Sequence, residues 1–197
     1  MRLFIAVDVP EPVKAWASRV RASVERGQPA AARGLRWVAP AHMHLTLRFL
    51  GEIAPNVAST LAAELSTPFA APAFTMRVGT LGWLPARGRP RVLVADIADG
   101  RSELAAVKSL VDDVVRRATG QGPEERPFTA HVTLARVRED LATLVDRDRD
   151  AVVAACGAVP DLAAPIDRVV LYRSELSPRG PTYTALAAAH LGAAPRP

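Results

Sequence analysis

Cysteine is almost missing from this chain: Cys156 is the only one in 197 residues. An intrachain disulfide is therefore excluded, which fits a reducing compartment. Its setting, Ala151-Val152-Val153-Ala154-Ala155-Cys156, reads as a small buried group, not a nucleophile. Lysine is nearly as scarce, since Lys14 and Lys108 are the only two among 25 basic residues. The rest are Arg, whose planar guanidinium grips phosphate or carboxylate with two bonds at once. A net charge of +5 is modest for a long nucleic-acid track but would help attract a short anionic substrate. Aromatic residues make up only 5%, so any near a motif is a candidate for core packing or for stacking on a base. No apolar run approaches the roughly 20 residues of a membrane span. The opening Met1-Arg2-Leu3-Phe4-Ile5-Ala6-Val7 meets Asp8 too soon to be a signal peptide. A soluble cytoplasmic protein is the expectation, with a monomer as the default. Neither GxGxxG nor GxxxxGKS/T occurs, so no glycine loop is available to cradle a dinucleotide or a nucleoside triphosphate.

What is present is a succession of short alternating and helical patterns. Leu3 to Val9 predicts a strand, and Pro10 and Pro12 open a helix with Val13, Trp16, Ala17 and Val20 on one face. Residues 27–34 have no period, and Leu35 to Val38 predicts a short strand. His44 to Leu50 predicts a strand ended by Gly51, followed by a helix over about 56–65. Phe74 to Leu84 predicts a strand with a bulge or bend at its glycines, and Val92 to Ile97 another. A helix is expected over about 101–118, a loop over 120–127, a strand over 131–137, and helices near 141–148 and 151–156. Strands over 166–173 and 183–189 flank an expected turn at 175–181, and 192–197 reads as a frayed tail. This order favours α+β, with mixed or antiparallel sheets, some parallel pairing, and outer helices. Each motif strand described next precedes a helix, which hints at an internal duplication.

The two strands that carry chemistry are His44-Leu45-Thr46-Leu47 and His131-Val132-Thr133-Leu134. Side chains alternate along a strand, so in each the His and Thr share one face and the apolar residues the other. Brought together, they would set two imidazoles and two hydroxyls around one cleft. Imidazole titrates near neutrality and a hydroxyl donates to an anion. That set suits a cyclic phosphodiester: one imidazole deprotonates water, the other protonates the departing oxygen, and Thr46 and Thr133 stabilise nonbridging oxygens. Which imidazole is the acid is left open by the residues. A zinc site from His42, His44 and His131 is the rival, but it lacks a clear Cys or carboxylate partner. The expectation is no metal and no cofactor. Strict alternation places Arg48 with His44 and Thr46, as a candidate substrate contact. It places Phe49 toward the core, and Arg136 with Leu134, away from His131 unless the register breaks. Trp37 and Tyr172 are candidates for stacking a base.

The motifs, with Met1-Arg2-Leu3-Phe4-Ile5-Ala6-Val7, Arg36-Trp37-Val38, Arg48-Phe49-Leu50-Gly51, Pro90-Arg91-Val92-Leu93, Ala135-Arg136 and Leu171-Tyr172-Arg173-Ser174-Glu175-Leu176, resemble the LigT-type 2H phosphoesterases, bacterial RNA 2',3'-cyclic phosphodiesterases also called 2'-5' RNA ligases. The resemblance runs almost end to end. It implies a bilobal α+β domain over 1–197 around a central cleft, with two pseudo-symmetric lobes and one motif, at 44–47 and 131–134, on each. It implies metal-independent hydrolysis of RNA 2',3'-cyclic ends to 2'-phosphomonoesters, with His44 as proton donor, His131 as proton acceptor, and reversible 2'-5' ligation by the same groups. Two departures stand out. The family's usual Arg-Pro before the second His is Thr129-Ala130, for which Arg126 is a substitute candidate. His42 stands where an Asn often precedes the first motif, and it is a further candidate contact. A small cyclic nucleotide as substrate, or noncatalytic binding of RNA ends, are the alternatives. The loops at 82–91 and 120–127 would decide whether a polynucleotide can enter.

Overall fold

The apolar stretch Leu3, Phe4, Ile5, Ala6 and Val7 is buried on both faces because it becomes a central strand covered from both sides. The computed structural model describes residues 1–177 and 180–192. The chain runs β1 (Arg2–Asp8), α1 (Glu11–Gly27), α2 (Pro29–Ala32), β2 (Leu35–Trp37), β3 (His44–Glu52), α3 (Pro55–Glu64), β4 (Phe74–Leu84), β5 (Val92–Asp99), α4 (Arg101–Thr119), β6 (His131–Val137), α5 (Ala142–Arg147), α6 (Arg149–Ala155), β7 (Ala163–Ile166), β8 (Arg168–Ser177) and β9 (Gly180–His190). Short 3-10 turns precede β3 and α5.

The fold is α+β, built on two sheets. One has the order β3-β1-β8-β9, the other β2-β6-β5-β4-β7. Every pair of named strands is antiparallel, and the parallel pairing expected from the sequence reduces to one isolated bridge between Phe69 and Leu191. The reason lies in the connections. α1 and α3 lead the chain across to the other sheet, α5 and α6 lead it to a non-neighbouring strand, and α4 joins β5 to β6, which are neighbours but antiparallel, so no βαβ crossover joins parallel neighbours. Three further corrections are local. The aperiodic stretch after α1 contains the single turn α2. β7 was unread because Pro165 interrupts it, and Pro is tolerated there since β7 is the edge of its sheet. The expected turn at 175–181 is mostly strand, with β8 continuing to Ser177 and β9 beginning at Gly180. Pro178 and Arg179 of that turn, and 193–197 of the expected frayed tail, lie outside the described residues.

Helices cover the outer faces. α1 buries Val13, Trp16, Ala17, Val20 and Val24, and α4 buries Leu104, Val107, Val111, Val114 and Val115. Each of the Val and Leu side chains among these contributes on the order of 1.5–3 kcal/mol. Gly120, at φ 73°, ends α4 in the left-handed region, where its N–H reaches the Arg116 carbonyl at 2.9 Å. No helix among the described residues is long and apolar enough to cross a membrane.

One irregularity sets the site. In β3, Thr46 pairs with Ala6 and Arg48 with Ile5, so Leu47 has no partner. In β6, Thr133 pairs with Val94 and Ala135 with Leu93, so Leu134 has none. Each motif strand thus carries a bulge one residue past its Thr. Two residues oppose one, and the alternation of faces reverses beyond that point.

Candidate functional site

The bulges overturn the simple face assignments. Leu47 and Arg48 are both buried, and so are Leu134 and Ala135. The next residues, Phe49 and Arg136, turn back to the face of the motif His and Thr. Phe49, expected in the core, is 55% exposed. Arg136, expected on the far side, stands beyond His131 and Thr133 on their own face. Arg48, expected with His44, is 4% exposed on the opposite face. There it bonds Asp112 at 3.3 Å and donates to the Gly122 carbonyl. Asp112 also accepts from Lys108 at 2.7 Å, and Lys108 lies 5.9 Å from the Phe128 ring centre and 3.6 Å from Glu124. Arg48 therefore ties the first motif strand to α4 and to the chain leading into β6.

Each motif His is anchored the same way. His44 Nδ1 donates to the His42 carbonyl at 2.8 Å, and His131 Nδ1 donates to the Thr129 carbonyl at 2.6 Å. A carbonyl only accepts, so Nδ1 holds the proton and Nε2 is left to give or take one. Across the strand pairs, Asp8 stands opposite His44 and Asp96 opposite His131. The hydroxyls of Thr46 and Thr133 are half-buried and have no hydrogen-bond partner among the described residues.

Around His44 the surroundings are aromatic. Phe4 lies beneath it, with ring centres 4.7 Å apart, and stacks on Tyr172 at 5.3 Å. Tyr183 of β9 meets Phe4 at 5.0 Å, His42 at 5.2 Å and His44 at 5.4 Å, edge to face. The Tyr172 hydroxyl donates to Asp8 at 2.5 Å, and Arg168 reaches the other Asp8 oxygen at 3.2 Å. A cavity of ≈ 700 Å³ opens here, lined by Asp8, Lys14, His42, His44, Tyr172 and Tyr183 among others. Burial lowers the His44 pKa from the ordinary 6.5. Donation to the His42 carbonyl opposes that fall, the Arg136 cation adds to it, and Asp8 partly restores it. The Arg136 charge also acts on Tyr183, whose hydroxyl burial pushes up. Arg136 of one sheet thus faces the aromatic wall of the other.

The remaining candidates divide. His42 and Tyr172 line the cavity beside His44. Trp37 does not face the cleft: it pairs with Ala135 on the core side of β2, packs against the core, and leaves its buried Nε1 without a partner. Arg126 is exposed between α4 and β6, with no hydrogen bond or ion pair to any described residue. Sequence reasoning missed Asp8, Phe4 and Tyr183, and it reads Phe49 only as a core residue. For the first, the signal available was the parallel between Phe4-Ile5-Ala6-Val7-Asp8 and Val92-Leu93-Val94-Ala95-Asp96, each ending opposite a motif His. Among the described residues no group of three or more His, Cys, Asp or Glu gathers to hold a metal ion, so His42, His44 and His131 form no common ligand set.

Comparison with known proteins bears on the family and the fold. The model of the LigT-like phosphoesterases matches residues 7–94 and 98–183. A Thermus thermophilus protein named RNA 2',3'-cyclic phosphodiesterase is 35% identical over 94% of this chain and 88% of its own length. One of the same name from Thermotoga maritima is 31% identical over 94% of this chain and 93% of its own. A crystal structure from Thermus thermophilus superposes with a TM-score of 0.71 at 29% identity, covering 98% of this chain and 99% of that one. Escherichia coli LigT in complex with 3'-AMP shares the fold, with a TM-score of 0.72 at 24% identity over 96% and 97% of the two chains. Matched across nearly its whole length, the chain belongs to the LigT-like phosphoesterase family.

Proposed function

We propose that this protein hydrolyses RNA 2',3'-cyclic phosphate ends to 2'-phosphomonoesters, with the two sheets acting as lobes of one domain. The observation that carries the reading is the repeated anchoring of His44 and His131. Each imidazole is held by a carbonyl two residues earlier, with Nε2 unengaged, beside a Thr hydroxyl without a partner. The names of the Thermus and Thermotoga relatives point to the same substrate.

In this reading His131 Nε2 takes a proton from water as its oxygen attacks phosphorus. His44 Nε2 gives a proton to the departing 3' oxygen, so the P–O3' bond breaks and the phosphate stays on the 2' oxygen. Thr46 and Thr133 donate to nonbridging oxygens, and Arg136 offsets their growing charge. The donor role for His44 requires a proton that burial and Arg136 disfavour. The anionic substrate supplies the opposing charge, since a neighbouring negative charge favours the protonated imidazole. With the 5'-hydroxyl of a second RNA in place of water, the same two groups in the same roles would form a 2'-5' phosphodiester, and cleavage of that bond back to the cyclic phosphate would exchange their roles.

The test is product analysis. An oligoribonucleotide ending in a 2',3'-cyclic phosphate is incubated in EDTA, and the position of the phosphate is read. A 2'-phosphate is expected. A 3'-phosphate would reverse the assigned leaving group, and tight binding without turnover would favour the noncatalytic reading left open by Thr129-Ala130.

A further inference from the structure

The face that carries His131, Thr133 and Arg136 does not stop at β6. β2 extends the sheet, and Arg36 sits directly opposite Arg136 in the antiparallel register. Residues so paired share a face with Cβ atoms about 4.5–5.5 Å apart, and like charges there repel. Both Arg are exposed, and neither has a hydrogen bond or ion pair with any described residue. Some other exposed Arg are matched, Arg138 by Asp140, Arg168 by Asp8 and Arg101 by Asp96, while others such as Arg126 are not; what sets Arg36 and Arg136 apart is that they stand directly opposite each other. On its other side Arg136 has Val92, which brings no counter-charge. Glu139 and Asp140 line a depression of ≈ 630 Å³ together with Arg36. Asp140 is engaged by Arg138 through two contacts, which leaves Glu139 as the one local screen.

Two opposed, unmatched guanidinium groups are unfavourable in the empty protein and favourable once anions lie between and over them. Arg136 shares the face of His131 and Thr133, and Arg36 lies one strand further out on the edge strand β2, so the pair runs from the motif face outward along the wall. A lone cyclic nucleoside phosphate carries one phosphate and would leave Arg36 unmatched. An RNA end carries a second phosphate on the 5' side of its terminal nucleoside. We infer that Arg36 binds this neighbouring phosphodiester while Arg136 lies at the cyclic phosphate, making a polyribonucleotide end the preferred substrate. This rests on the hydrolase reading for the placement of the cyclic end. Arg36 itself determines specificity and takes no part in the chemistry.

The experiment compares wild type, Arg36→Ala and Arg36→Lys on adenosine 2',3'-cyclic phosphate and on a trinucleotide with the same terminus, over a range of KCl. Fluorescence anisotropy of a 5'-labelled trinucleotide 2'-phosphate gives binding without turnover. Arg36→Ala should lower kcat/KM on the trinucleotide about tenfold more than on the mononucleotide, through KM, as loss of one charge-assisted bond implies. The slope of log affinity against log salt should shrink by about 0.7, the value for one phosphate contact on a single strand. Arg36→Lys should restore most of that slope. Equal losses on both substrates, or an unchanged salt slope, would overturn the assignment. Wild type that binds the trinucleotide with an Arg36-dependent slope yet hydrolyses neither substrate would sink the hydrolase reading and keep the phosphate pair. Hydrolysis with Arg36-independent binding would do the reverse.

Discussion

The two motif strands share a backbone and differ in chemistry. Asp8, Ala6, Ile5 and Phe4 pair with His44, Thr46, Arg48 and Phe49, and Asp96, Val94, Leu93 and Val92 pair with His131, Thr133, Ala135 and Arg136. The register and the bulge are the same. At matched places, however, one lobe has Phe4 and Phe49 where the other has Val92 and Arg136. The first lobe surrounds its His with rings, which desolvate it and lower its pKa. The second holds its His on an open, cationic face. The lesson is that a repeated scaffold sets where the imidazoles stand, while the residues beside them set what each can do with a proton. An acid and a base need different environments, and two chemically equal lobes would supply two equal imidazoles.

That contrast can be broken most severely at its centre. His44→Ala and His131→Ala should each lower kcat by about 10²–10⁴-fold without unfolding the protein, as steady-state turnover on a cyclic-ended oligonucleotide would show. Near-full activity in either variant would end the paired role. The buried Arg48 comes next. Arg48→Met leaves the Gly122 carbonyl without its donor and Asp112 with Lys108 alone, and losing a buried charged donor costs about 1–3 kcal/mol. Chemical denaturation should show that loss, and an unchanged midpoint would remove Arg48 as the tie between the first motif strand and the approach to the second.

Electrostatic variants sharpen the contrast. Arg136 lowers the His44 pKa and Asp8 raises it. With His44 as the acid, kcat/KM should fall as pH rises through a value below 6.5. Arg136→Gln should move that alkaline limb to higher pH, and Asp8→Asn to lower pH. A purely structural role for either side chain would change the rate without moving the limb in these opposite directions. The smallest effect is on stability. A folded-state pKa held below 6.5 means the unfolded chain binds the proton more readily, so this contribution is present above 6.5 and is lost as pH falls through the folded value. His44→Gln should flatten stability against pH in that window, read by thermal melts across it.

Much of this was legible beforehand because it depends on period. The helix over Arg101–Thr119 shows its stripe of Leu104, Val107, Val111, Val114 and Val115, and the two His-x-Thr strands show their alternation. Arg48 misled because Leu47-Arg48-Phe49 reads as unbroken alternation, whereas Leu134-Ala135-Arg136 holds two apolar residues in a row that hinted at the break. Tyr183 was not selected because nothing near it in the chain marks it; it meets His44 only after β9 folds beside β8 and β8 beside β1.

By itself the sequence determined most of the elements, the two imidazoles and the two hydroxyls, since local periodicity and residue chemistry act within a few positions of the chain. Tertiary structure alone decided which face each later residue takes, which rings enclose His44, and that Arg36 stands against Arg136. Those outcomes depend on one unpaired residue in each motif strand and on partners brought from far along the chain, and hydrogen-bond register between strands has no signature in either strand read separately.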